Sequence, residues 1–105
     1  MDKPLSQDVA SVAAYRFVDA LKQFSFIDRI YLFGSRARGD HSPTSDIDLA
    51  VECPEATLSE WLKVIEVVEE ADTLLKIDCV RLDQVDAAFQ KKIREEGKVI
   101  YDRQN

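Results

Sequence analysis

Apolar residues recur along this chain with a period that changes several times. Between Ser6 and Phe24 they fall at Val9, Val12, Ala13, Phe17, Ala20, Leu21 and Phe24. Steps of three and four put them on one side, so a single amphipathic helix is expected there. From Ile27 to Phe33 the run Ile30-Tyr31-Leu32-Phe33 is β-prone and stops at Gly34, which reads as a buried strand. Gly34 to Ser45 carries two glycines, a Ser-Pro step and several charged residues, and predicts a loop. Asp46 to Glu52 then alternates polar and apolar residues, as a half-buried strand does.

Pro54 ends that strand, and Thr57-Leu58-Ser59-Glu60 spells a capping box. The helix it opens should run through Trp61, Leu62, Ile65, Val68 and Ala71. Leu75 to Leu82 alternates again and predicts a third strand. Asp83 is the expected cap of a last helix with Val85, Phe89 and Ile93 inward and Gly97 at its C-terminal end. Lys98 to Tyr101 suggests a short final strand. The order predicts one α/β (α+β) domain over residues 1–105, with helices on one face of a small mixed sheet.

Parity then sorts the strand residues. Ile47, Leu49, Val51, Ile77 and Cys79 should face the core, leaving Asp46, Asp48 and Asp78 together on the face expected to carry no helix. Alternate strand residues lie roughly 6.6 Å apart, and two carboxylates leaning to about 4 Å repel by roughly 4 kcal/mol at an effective dielectric of 20. Such a group stays apart in water, takes up a proton, or holds a cation. Oxygen donors suit a hard ion such as Mg²⁺, which completes its shell with water and substrate phosphates. A half-solvated strand would also put aspartates outside, yet aspartate is depleted in strands and occurs here in two of them.

The 105 residues carry 14 basic and 20 acidic side chains, for a formal charge of −6. That balance speaks against gripping duplex nucleic acid, which needs a dense basic face. Neither an apolar leader nor a membrane-length apolar run is visible, and Cys53 and Cys79 form no disulfide framework or zinc spacing. A cytoplasmic protein without membrane contact is the expectation. Against the acidic trend, Gly34-Ser35-Arg36-Ala37-Arg38-Gly39 follows the first strand directly. Glycine there lets the backbone approach an anion, and the Ser35 hydroxyl with neighbouring N–H groups can donate to phosphate oxygens. A P-loop is excluded, because Asp40-His41 stands where Lys-Ser/Thr is required.

Gly34-Ser35, ten residues, then Asp46-Ile47-Asp48 resembles the signature of the polymerase-β-like nucleotidyltransferases, and GSRARGDHSPTSDIDLAV is similar to the minimal nucleotidyltransferase (MNT) group. The resemblance implies that Gly34 and Ser35, with Arg36 or Arg38, hold a nucleoside triphosphate. It implies that Asp46 and Asp48 are catalytic Mg²⁺ ligands and Asp78 the third carboxylate, as ligand or base. It further implies transfer of AMP from ATP to a hydroxyl of a partner protein, a HEPN-type ribonuclease toxin neutralised in a hetero-oligomer. The alternatives are the same chemistry on a small molecule such as an aminoglycoside, or a non-catalytic module that masks a toxin. On their residue types alone, His41 and Lys91 to Glu96 read as solvated, Cys53 and Cys79 as small core residues, and Trp61 as core or partner-facing. Tyr31 and Tyr101 fit either base stacking or strand packing.

Overall fold

A computed structural model describes residues 7–104. The expected helix start at Ser6 and the leader-free beginning lie outside the described residues. Two short helices, α1 (Gln7–Ala13) and α2 (Arg16–Lys22), replace the single expected one. The reason is angular. At 3.6 residues per turn, Val18 would sit about 120° around a continuous helix from Val12, off the same buried face. Breaking at Ala14 and Tyr15, whose backbone is extended (φ −63°, ψ 144°), turns both into the core, where Val12 is 1% and Val18 0% exposed.

Strand β1 (Arg29–Phe33) leads without a gap into α3 (Gly34–Arg38), so the segment expected as a loop begins as one helical turn. Strand β2 (Ile47–Glu52), helix α4 (Leu58–Glu69) and strand β3 (Ile77–Arg81) follow. Helix α5 (Ala87–Glu96) and strand β4 (Lys98–Asp102) complete the fold. The sheet order is β3-β2-β1-β4. β1 pairs antiparallel with β2 and β4, and β2 pairs parallel with β3, giving the mixed sheet the alternation predicts.

The capping box of α4 forms as read, with Glu60 N–H donating to Thr57 Oγ1 at 3.1 Å and Thr57 N–H to Glu60 Oε1 at 2.9 Å. Its buried stripe differs by a rotation: Val64 is fully buried while Leu62 is 56% exposed. Asp86, not Asp83, caps α5 by accepting from Phe89 N–H at 2.8 Å. Asp83 instead binds the buried Arg81, whose Nη2 also donates to the Cys53 and Ala56 carbonyls and ties β3 to the β2–α4 connection. Gly97 ends α5 with φ −73°, outside the left-handed region. Glycine is needed there because a Cβ would lie 2.4 Å from the Ile93 carbonyl oxygen.

α1, α2 and α4 cover the sheet face bearing Ile30, Leu32, Ile47, Leu49 and Val51. The opposite face was expected to be free of helices, and here α5 corrects the expectation. Phe89 and Ile93 pack on Tyr31, Ala50 and Val80 with Phe33 and Leu82. Apolar Tyr31 and Ala50 on that side need cover, and α5 supplies it near β1. Among the described residues no helix is long and apolar enough to cross a membrane.

Candidate active site

The chemistry gathers where β1 and β2 end side by side. Phe33 stands opposite Asp48 in register, and the parallel pairing sets Asp78 level with Asp48. Their side chains occupy the face shared with α5, on its uncovered part. Asp48 and Asp78 are half-buried, and Asp46, one residue before β2, is exposed. Burial is the largest cause pushing the Asp48 carboxyl above the usual carboxylate range. Repulsion from Asp78 and Asp46 and a hydrogen bond with Asp78 push it the same way, and only Arg38 opposes them. Asp78 also meets Lys76 Nζ at 3.6 Å, a solvent-exposed pair of little energetic weight.

Gly34 makes this crowding possible. Its φ is +73°, which disfavours any side chain, and a Cβ would sit 2.3 Å from Asp48 Oδ2. The backbone therefore touches the carboxylate where any larger residue would displace it. Gly39, at φ +85°, closes α3 with its N–H on the Ser35 carbonyl at 2.9 Å.

The two arginines of this segment divide. Arg36 is buried, and its Nε and Nη2 donate to the Ser45 carbonyl at 3.1 and 2.9 Å, with Nη2 also reaching the Pro43 carbonyl. Its guanidinium is committed to the loop that delivers Asp46 and β2. Ser42 N–H donates to Ser45 Oγ at 2.9 Å and tightens the same loop. Arg38 is exposed, pairs with Asp40 at 3.2 Å, and is the cation whose charge reaches Asp48. Residue types alone did not single out Ser45 as the anchor of Arg36; the Ser-Pro-Thr-Ser run was the available signal. His41 is half-buried.

A cleft of ≈ 170 Å³ adjoins Gly34 on the side of α5, lined by Phe33, Gly34, Arg38, Phe89, Lys92 and Glu96 among others. Phe33 and Phe89 meet edge to face, centroids 5.6 Å apart. The thiols offer no nucleophile: burial pushes Cys79 up to about 12 and Cys53 to about 11.

A divalent cation suits this donor set. Carboxylate oxygens crowded enough to raise the Asp48 pKa are what a hard cation relieves. Among the described residues no group of three or more acidic, His or Cys side chains is placed to hold a metal ion.

Residues 17–105 match the family model for polymerase beta nucleotidyltransferases. The chain is 38% identical over 82 residues to "Putative protein adenylyltransferase MJ1379" of Methanocaldococcus jannaschii, covering 75% of this chain and 81% of that one. Among solved structures it resembles a toxin-antitoxin crystallised with AMP-PNP, with TM-score 0.64 and 20% identity over 95% of this chain and 76% of that one. It also resembles the complex of a tri-AMPylated Shewanella oneidensis HEPN toxin with its MNT antitoxin, with TM-score 0.59 and 19% identity over 92% and 71%. The family match spans most of the chain, and the chain belongs to the polymerase beta nucleotidyltransferase family.

Proposed function

We propose that this protein transfers AMP from ATP to a hydroxyl of a partner protein, and that the partner is a HEPN-type toxin which it neutralises as an antitoxin. The observation that carries the reading is the register of Asp48 with Asp78 directly beside the Gly34–Ser35 turn. It brings oxygen donors for a cation and N–H and hydroxyl donors for phosphate to one edge of the sheet. The adenylyltransferase relative and the AMPylated toxin complex support the choice of AMP and of a protein acceptor.

In this reading Gly34 and Ser35 bind the triphosphate through backbone N–H groups and the Ser35 hydroxyl. Arg38 adds a cation on the phosphates, and Arg36 holds the loop that aims Asp46. Asp46 and Asp48 would hold Mg²⁺, with Asp78 as a third oxygen donor, and the ion would supply neutralisation of phosphate charge. The acceptor oxygen attacks the α-phosphorus, the bond from that phosphorus to the bridging oxygen breaks, and pyrophosphate departs with the electron pair. The hydroxyl proton passes to the Asp78 carboxylate, exposed enough to return it to water.

Incubation with α-labelled ATP, Mg²⁺ and a HEPN-type toxin should place label on the toxin and quench its ribonuclease activity. Label that persists with Asp46→Asn/Asp48→Asn, or toxin neutralised equally well by that variant, would refute catalysis and favour simple masking.

A further inference from the structure

The sequence reads Lys92 as part of a solvated helix end; the fold adds a neighbour to that setting, where Lys92 is exposed. Its side chain lines the ≈ 170 Å³ cleft between α3 and α5, facing Gly34 and Arg38. Gly34 is also the residue on which Asp48 packs, so the cleft and the carboxylates meet at it. Three carboxylates, Asp46, Asp48 and Asp78, gather on one side of Gly34; Arg38 and Lys92, from separate helices, line the cleft on the other with Glu96, and Arg38 also pairs with Asp40. The adjacent Lys91 pairs with Glu95 at 3.9 Å, whereas among the described residues no carboxylate pairs with Lys92. A chain of charge −6 has left a cation unspent beside its anion-binding turn.

We infer that this cleft takes the pyrophosphate end of the nucleotide, with Lys92 as a leaving-group-binding residue opposite Arg38. The inference rests on the nucleotidyl transfer proposed above. When the bond to the α-phosphorus breaks, negative charge develops on the departing phosphates, and fixed cations contribute most where charge develops. The cleft beside Gly34 brings two such cations, Arg38 and Lys92, to one place, so the leaving group belongs there. The apolar wall of Phe33, Phe89 and Ile93 lowers the local dielectric and strengthens both contacts.

The test is equilibrium binding of α,β-methylene-ATP, inorganic pyrophosphate and AMP, each with Mg²⁺, to the full chain and its variants. Lys92→Ala should weaken the triphosphate and pyrophosphate about tenfold and AMP less than about twofold, as loss of one charge-assisted contact predicts. Lys92→Arg should keep most of the affinity, and Lys91→Ala should bind like the wild type. An equal loss for AMP would put the nucleoside end in the cleft and overturn the inference. An equal loss in Lys91→Ala would reduce the effect to diffuse charge and overturn it too. Unchanged binding by Lys92→Ala, in a wild type that does bind, overturns this inference alone. A wild type that binds no triphosphate overturns the nucleotidyl transfer reading with it.

Discussion

The two ends of β1 and β2 treat charge in opposite ways. At one end Arg29 lies opposite both Glu52 and Asp102 in register, and its guanidinium reaches them at 3.2 and 3.0 Å. Arg94 from α5 adds a second contact to Glu52 at 2.9 Å. The Arg29 hydrogen bond, first among the causes, holds Asp102 below the usual carboxylate range. At the other end, four residues along, Asp48 meets Asp78 and is pushed up by burial and by its acidic neighbours. The same alternation builds both ends. One supplies its own counter-charge, and the other concentrates like charge against a glycine, an arrangement that helps folding less than almost any replacement would. Such local cost is characteristic of sites kept for function.

Neutralising the strained end should have the largest effect on activity. Asp46→Asn/Asp48→Asn is expected to lower AMP transfer by at least about a thousandfold, the scale of losing several kcal/mol of charge stabilisation. Its circular dichroism should match the wild type. Gly34→Ala should cost activity and stability together. The positive φ alone costs on the order of 1–3 kcal/mol, and the added Cβ must push Asp48 aside, so chemical denaturation and transfer assays should fall in step.

Arg36→Ala leaves the Ser45 and Pro43 carbonyls without their donor. About 1–3 kcal/mol of stability should be lost, with a weakened apparent affinity for ATP as the Asp46 loop loosens. Asp48→Asn alone should raise the melting temperature while abolishing transfer. The sign follows from the raised carboxyl. Ionised Asp48 opposes folding, so its penalty is absent below the unfolded-state pKa and complete above the folded one. The gain from Asn should therefore grow as pH rises from the acid range to neutrality and then level off.

The smallest effects belong to the compensated end. Arg29→Ala should change stability little, by an amount that shrinks further with salt, and should leave transfer untouched. For Asp102 the sign is reversed. Its lowered carboxyl contributes stability above the unfolded-state pKa that is lost as pH falls through the folded one.

Much of this contrast was legible before the fold. Period-two runs located β2 and β3, and their parity put Asp48 and Asp78 on one face because a strand leaves no other choice. The Gly34-Ser35 spacing to Asp46 marked the turn. What remained hidden depends on packing. The break at Tyr15 arises only because α1 and α2 must reach one core. The shift of the α5 cap to Asp86 follows from Arg81 taking Asp83. Arg36 and Arg38 are two residues apart and chemically alike, and only the carbonyls of Ser45 and Pro43 decide which of them is committed. Lys92 was invisible for the same reason: α5 had to pack on Tyr31 before its lysine could face Gly34.

The central claim is that the acidic end is held together for a divalent cation and a nucleotide. Thermal unfolding with and without Mg²⁺ and α,β-methylene-ATP, for the wild type and Asp48→Asn side by side, tests it most directly, since a ligand bound only by the folded state raises its melting temperature. The wild type should start lower, rise with Mg²⁺, and rise further with the nucleotide, while Asp48→Asn starts higher and responds to neither. A wild type indifferent to both, or an Asp48→Asn protein that responds equally, would contradict the account.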